Sequence, residues 1–170
     1  IYGGHQPTLE DLALAERFCE SLRLGIGNKA DMLFGTHGQF NPSGAIRMAR
    51  RLEKYNPLWF EEPIPPESAR NMAEVSKSTS IPIATGERLT TKYEFSEILR
   101  SGAASILQPA LGRVGGIWEA KKIAAIAEVF GAQLAPHLYA GPIEWAANIQ
   151  LSATIPNFLV LESIQTGCGF

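Results

Sequence analysis

Cysteine is scarce in this sequence. The 170 residues contain two, Cys19 and Cys168, far apart and in no metal-type spacing. That pattern argues for two reduced thiols in a cytosolic protein rather than a disulfide or a cysteine-bound metal. Long apolar runs are missing as well: none reaches the roughly 18 residues needed to span a bilayer. The opening "IYGGHQPTLEDL" has no basic segment followed by an apolar one, so no signal peptide is visible. Charge of one sign is also lacking. A formal net charge of −2 gives no electrostatic reason to bind nucleic acid or an anionic membrane. Nor is there a phosphate loop. "GRVGG" (112–116) lacks the P-loop lysine and the dinucleotide spacing, and reads as punctuation before a helix.

What remains is ordinary globular composition, 45% hydrophobic and 19% charged, in a chain long enough for one domain with a substantial core. Two textures alternate along it. Helical patterning occupies 8–26, 41–55, 66–79, 90–102, 114–131 and 141–154. Thr8 offers an N-cap to the first of these, with Asp11 at its third helical position, as in a capping box. Between them lie short apolar runs: Met32–Phe34, Pro57–Phe60, Ile81–Ala84, Ala104–Leu107, Gln133–Ala135 and Phe158–Leu161. Runs this short and this apolar read as strands buried on both faces, which belong to parallel sheets covered by helices.

The first polar or special residues after these runs are Gly35, Glu61, Glu87, Ala110, His137 and Glu162, at intervals of about 23 to 27 residues. This quasi-regular repeat suits a (β/α) barrel. A doubly wound open sheet is the alternative, but no glycine fingerprint follows a first strand. Six units are visible where a closed barrel has eight, so the expectation is a partial barrel over 1–170. Its first strands and anything before them would lie elsewhere in a longer chain.

In such a barrel the active site lies at the C-terminal ends of the strands. Glu61 and Glu87, ending successive strands in "LWFEEP" and "IATGER", would form an oxygen pocket suited to Mg2+. His37 and His137 would be placed to move protons near neutral pH. Singly, each has a structural reading: Glu61-Glu62-Pro63 as a solvated loop, His137 as a satisfied, partly buried histidine. Their common register is what favours function.

Together, "WFEEPIPPE", "IPIATGERLTTKYEF", "ILQPALGRVGGIWEAKKIA" and "APHLYAGPIEWAANIQL" resemble the enolase superfamily, in its mandelate racemase-like branch, and above all the galactonate dehydratase-like sugar-acid dehydratases. The resemblance runs from about Ala30 to Ser163. It implies an α/β fold, a TIM-type (β/α)7β barrel present here as a C-terminal part, with an N-terminal capping domain in the full protein. It implies a lyase: Mg2+ stabilises an enolate made by removing a proton next to a carboxylate, and loss of water gives a 2-keto-3-deoxy acid. By position, Glu61 and Glu87 match metal ligands and His137 matches the base. His37 matches the acid that protonates the departing hydroxyl, and Glu162 the glutamate that hydrogen-bonds the developing enediolate. A cytoplasmic homo-oligomer acting on a small carboxylate, without nucleic acid or membrane, is expected.

Two positions depart from the family pattern. Gly35 stands where the third metal-binding aspartate would be, two residues before the histidine. Ala110, in "QPA", stands where an aspartate would orient His137, so the ring is expected to be left free to adopt the wrong tautomer. These departures keep open a catalytically impaired barrel retained for binding or assembly. A racemase or epimerase is a further alternative, against which His37 argues.

Overall fold

Thr8 starts the first helix with a reciprocal cap: its hydroxyl accepts from the Asp11 N–H, and the Asp11 carboxylate accepts from the Thr8 N–H. Two of the helix's orphan donors are thereby satisfied, as the sequence predicts. The structure, a computed structural model, describes residues 4–163. It divides into two compact units, one ending at Ala84 and one beginning at Thr85.

In the first unit, α1 (Leu9–Ile26) leads to β1 (Leu33–Gly35), α2 (Pro42–Leu52), β2 (Trp59–Glu61), α3 (Ala69–Ser76) and β3 (Ile83–Thr85), whose last residue opens the second unit. β1 and β2 are parallel, with Leu33, Phe34 and Gly35 opposite Trp59, Phe60 and Glu61. β2 pairs with β3 in the same sense, Phe60 opposite Ile83 and Glu61 opposite Ala84. Ala45, Met48, Ala49 and Leu52 of α2 and Met72, Ala73 and Val75 of α3 are buried, as is Phe60. The Phe60 ring lies 4.4 Å from that of Phe34.

In the second unit, α4 (Lys92–Ser101), β4 (Ile106–Leu107), α5 (Leu111–Val114), α6 (Ile117–Val129), β5 (Gln133–Leu134) and α7 (Pro142–Ser152) follow. α4 repeats the capping box with Thr91 and Glu94. β4 and β5 are parallel, and Gln108 N–H donates to Thr85 O at 2.9 Å, tying the end of β3 to the end of β4. Ala110 and His137 form an isolated parallel bridge just past β4 and β5. No helix among the described residues is long and apolar enough to cross a membrane.

Three expectations need correction. The strands begin about two residues later than the apolar runs at 57, 81 and 104; at the first two, Pro57 and Pro82 have no N–H to donate to a ladder. The run Phe158–Leu161 is not a strand; only Phe158 bridges, to Leu134. The helix expected at 114–131 begins at Ile117, and residues 112–114 of "GRVGG" belong to α5. Gly115 (φ 97°) and Gly116 (φ 84°) break the two helices apart with left-handed backbone that favours glycine.

Candidate active site

In the first unit the parallel register sets Gly35 beside Glu61, each the last residue of its strand. Beyond Gly35 the chain folds into a turn held by the next strand end. Thr36 N–H donates to Glu61 O at 3.2 Å, and the Thr36 hydroxyl and Gly38 N–H donate to Glu62 O at 3.0 and 2.7 Å. His37 sits in this turn, exposed, at φ 49°. A non-glycine residue in that region costs on the order of 1 kcal/mol, offset here by the anchored flanks. One ring nitrogen of His37 lies within 4.8 Å of a Glu61 carboxylate oxygen.

The glutamate pair is split by its backbone. Glu62 is fully buried at φ 37°, whereas Glu61 is half-buried and accepts from the Trp59 indole N–H at 3.2 Å. Trp59 and Glu61 share a strand face because side chains alternate. Sequence reasoning missed Trp59, although the W-x-E spacing carries the signal.

In the second unit Gly86 makes the turn out of β3 at φ 140°. A Cβ there would lie 2.7 Å from Phe95 Cε1 and 2.9 Å from Gln108 N. Only glycine fits, and the residue after it is Glu87. Its Oε2 lies 3.4 Å from His137 Nδ1, and Oε2 of Glu162 lies 2.8 Å from the same nitrogen. The same Glu162 oxygen accepts from the Leu138 N–H at 2.7 Å. Glu87, His137 and Glu162 are therefore neighbours. Although no aspartate stands at 110, a carboxylate does meet the ring: Glu162 is within hydrogen-bond distance of Nδ1.

The family model for enolase C-terminal domain-like proteins matches residues 2–167. The chain belongs to this family. Enolase-superfamily relatives show the same segment. A D-gluconate/D-galactonate dehydratase of Picrophilus torridus is 38% identical over 145 residues, covering 85% of this chain and 37% of that protein. The solved structure of a protein assigned as a mandelate racemase/muconate lactonizing enzyme, from Labrenzia alexandrii DFL-11, matches with a TM-score of 0.97 at 68% identity, covering 100% of this chain and 44% of its own. An enolase from Agrobacterium radiobacter, solved with Na and L-malate bound, matches with a TM-score of 0.89 at 31% identity, over 95% of this chain and 41% of its own. The chain thus spans well under half the length of these relatives. Its fold class is the family's (β/α) barrel, carried in part.

Within the enolase-superfamily frame, the two departures now have local consequences. At position 35 glycine lets Glu61 lie close against the strand, with only 3.3 Å from Glu61 Cβ to where a Cβ would stand, and a His37 nitrogen lies within 4.8 Å of that carboxylate. At position 110 a buried alanine, bridged to His137 through the backbone, carries no side-chain acceptor.

Proposed function

We propose that the intact protein is a Mg2+-dependent dehydratase of a sugar acid, for which this chain supplies the proton-transfer groups and the metal ligands Glu61 and Glu87. The observation that carries the reading is His137, a strand-end histidine with the carboxylates of Glu87 and Glu162 both at its Nδ1. The gluconate/galactonate dehydratase among the relatives supports the reaction class. The relative that holds Na and L-malate supports a cation and a carboxylate ligand on this fold.

The residues fit the ion. Carboxylate oxygens are the donors Mg2+ prefers, and Glu61 is steadied by the Trp59 indole with an imidazole nitrogen close by. When bound, the ion would lower the cost of negative charge on the substrate carboxylate and the enolate. His137 removes the proton from the carbon next to the carboxylate. The electron pair left behind forms a carbon–carbon double bond and expels the hydroxyl on the next carbon. His37, protonated, gives its proton to that hydroxyl, which leaves as water. The enol then converts to the 2-keto-3-deoxy acid.

Incubating the intact protein with a sugar-acid library, with Mg2+ and with EDTA, tests the reading. Keto-acid formation that EDTA abolishes is expected; no turnover of any acid sugar with Mg2+ present overturns it. Gly35 and Ala110 favour a second reading, a barrel impaired in catalysis and kept for binding or assembly. Activity that appears only in a Gly35→Asp/Ala110→Asp double variant would establish that one instead.

A further inference from the structure

The geometry points to Glu162 as the positioning residue of His137, a task that position 110 leaves undone. The inference rests on the proposed role of His137 as the base. Across the strand-end bridge from His137 stands Ala110, 4% exposed, with no polar side-chain atom to offer the ring. Ala110 is also the N-cap of α5 and makes no side-chain cap bond there. The carboxylate that does reach Nδ1 comes from the segment after the Phe158 bridge, Glu162, at 2.8 Å. Glu87 stands farther off, at 3.4 Å.

Glu162 is itself fixed by the segment it serves. Its Oε2 accepts from the N–H of Leu138, the residue next to His137, at 2.7 Å. One oxygen thus meets the backbone after the histidine and the ring of the histidine. Facing two nitrogens, Oε2 acts as an acceptor, so it is not the oxygen that donates a hydrogen bond to developing charge on a substrate. An acceptor at Nδ1 selects the tautomer with its proton on Nδ1 and leaves the lone pair on Nε2 for proton abstraction. Through this oxygen Glu162 acts on His137, whatever its other carboxylate oxygen does toward the substrate.

Nitrogen-15 NMR of histidine-labelled intact protein reads the tautomer directly, at a pH where the ring is neutral. The His137 signals are assigned by their loss in His137→Gln. In the wild type the proton is expected on Nδ1. In Glu162→Leu, which removes the acceptor, the proton is expected to shift largely to Nε2, with kcat falling about 10²- to 10⁴-fold while KM changes little. Adding Ala110→Asp to Glu162→Leu is expected to return the proton to Nδ1 and recover most of kcat. Glu162→Asp, which keeps the charge on a shorter arm, serves if the leucine variant folds poorly, and should fall between the two. An unchanged tautomer in both Glu162 variants overturns the inference even if the enzyme is an active dehydratase. A tautomer that moves as described upholds the positioning role even if no sugar acid is turned over, in which case only the dehydratase reading fails.

Discussion

A side chain on Gly35 would stand against Glu61: a Cβ built there lies 3.3 Å from Glu61 Cβ and 3.5 Å from its Oε1. Gly35 closes β1 as Glu61 closes β2. Gly35 is not in the left-handed region, so a larger residue meets crowding but no backbone strain. An aspartate at 35 would bring a carboxylate beside that of Glu61 after a shift of a few tenths of an ångström. Gly35→Asp should therefore tighten Mg2+ binding by about an order of magnitude or more, at a metal-free stability cost of about 1 to 3 kcal/mol from crowding and from the adjacent Glu61 carboxylate. Titration calorimetry of the intact protein checks the first, and urea unfolding without metal the second. Weaker Mg2+ binding in the variant would show that His37 and water already complete the site better than a third carboxylate can.

Gly86 makes the opposite prediction. Its φ of 140° and the 2.7 and 2.9 Å approaches to Phe95 and to the Gln108 backbone leave no room for a methyl group. Phe95 is fully buried in α4 and cannot swing aside. Gly86→Ala should cost about 2 to 4 kcal/mol, measured as a lower urea midpoint. It should also displace Glu87, the next residue, and weaken Mg2+ binding in the fraction that folds.

Much of this organisation is legible in the sequence, for local reasons. The helix starts at Thr8 and Thr91 are written in residues three apart, and the apolar runs are written in consecutive ones. Prolines 57 and 82 stand at two of the displaced strand starts, where each lacks a donor for the ladder. What is not legible is set by distant contacts or by backbone conformation. Phe158–Leu161 is as apolar as the other runs, yet pairs only at Phe158. The contact between Glu162 and His137 joins residues 25 apart in sequence, and no spacing rule announces it. The turn that brings His37 to Glu61 depends on a left-handed histidine held by carbonyls of the next strand end.

The two capping boxes should matter alike. Thr91→Ala removes the acceptor for the Glu94 N–H and one of the donors to the Glu94 carboxylate; burial pushes that carboxyl up, but the Thr91 hydroxyl and the Thr90 and Thr91 N–H groups together hold it below its ordinary value. The expected cost is about 1 kcal/mol. Hydrogen exchange at the first turn of α4 should accelerate while the interior of that helix changes little. Serine at the same position should keep most of the protection, since its hydroxyl can make the same bond.

Acid stability should carry the signature of Glu53. Its Oε1 accepts from the Thr79 hydroxyl and the Ser80 N–H, both at 2.7 Å, fastening the loop before β3 to the turn after α2. The Thr79 hydroxyl first, and then the Ser80 N–H, hold the Glu53 carboxyl below its ordinary value despite some burial. A carboxyl lowered in the folded state favours folding at pH values above its unfolded value, about 4.3. That contribution is lost as pH falls through the folded value. Glu53→Gln removes the ionised acceptor and should cost about 0.5 to 1 kcal/mol at pH 7, a modest figure because the group is partly exposed to solvent. The two proteins should converge in stability as the solution is acidified below the ordinary carboxylate range. Urea unfolding of both between pH 7 and pH 3 checks this. A difference that stays constant across that range would mean that shape and packing, rather than the carboxylate charge, hold the loop.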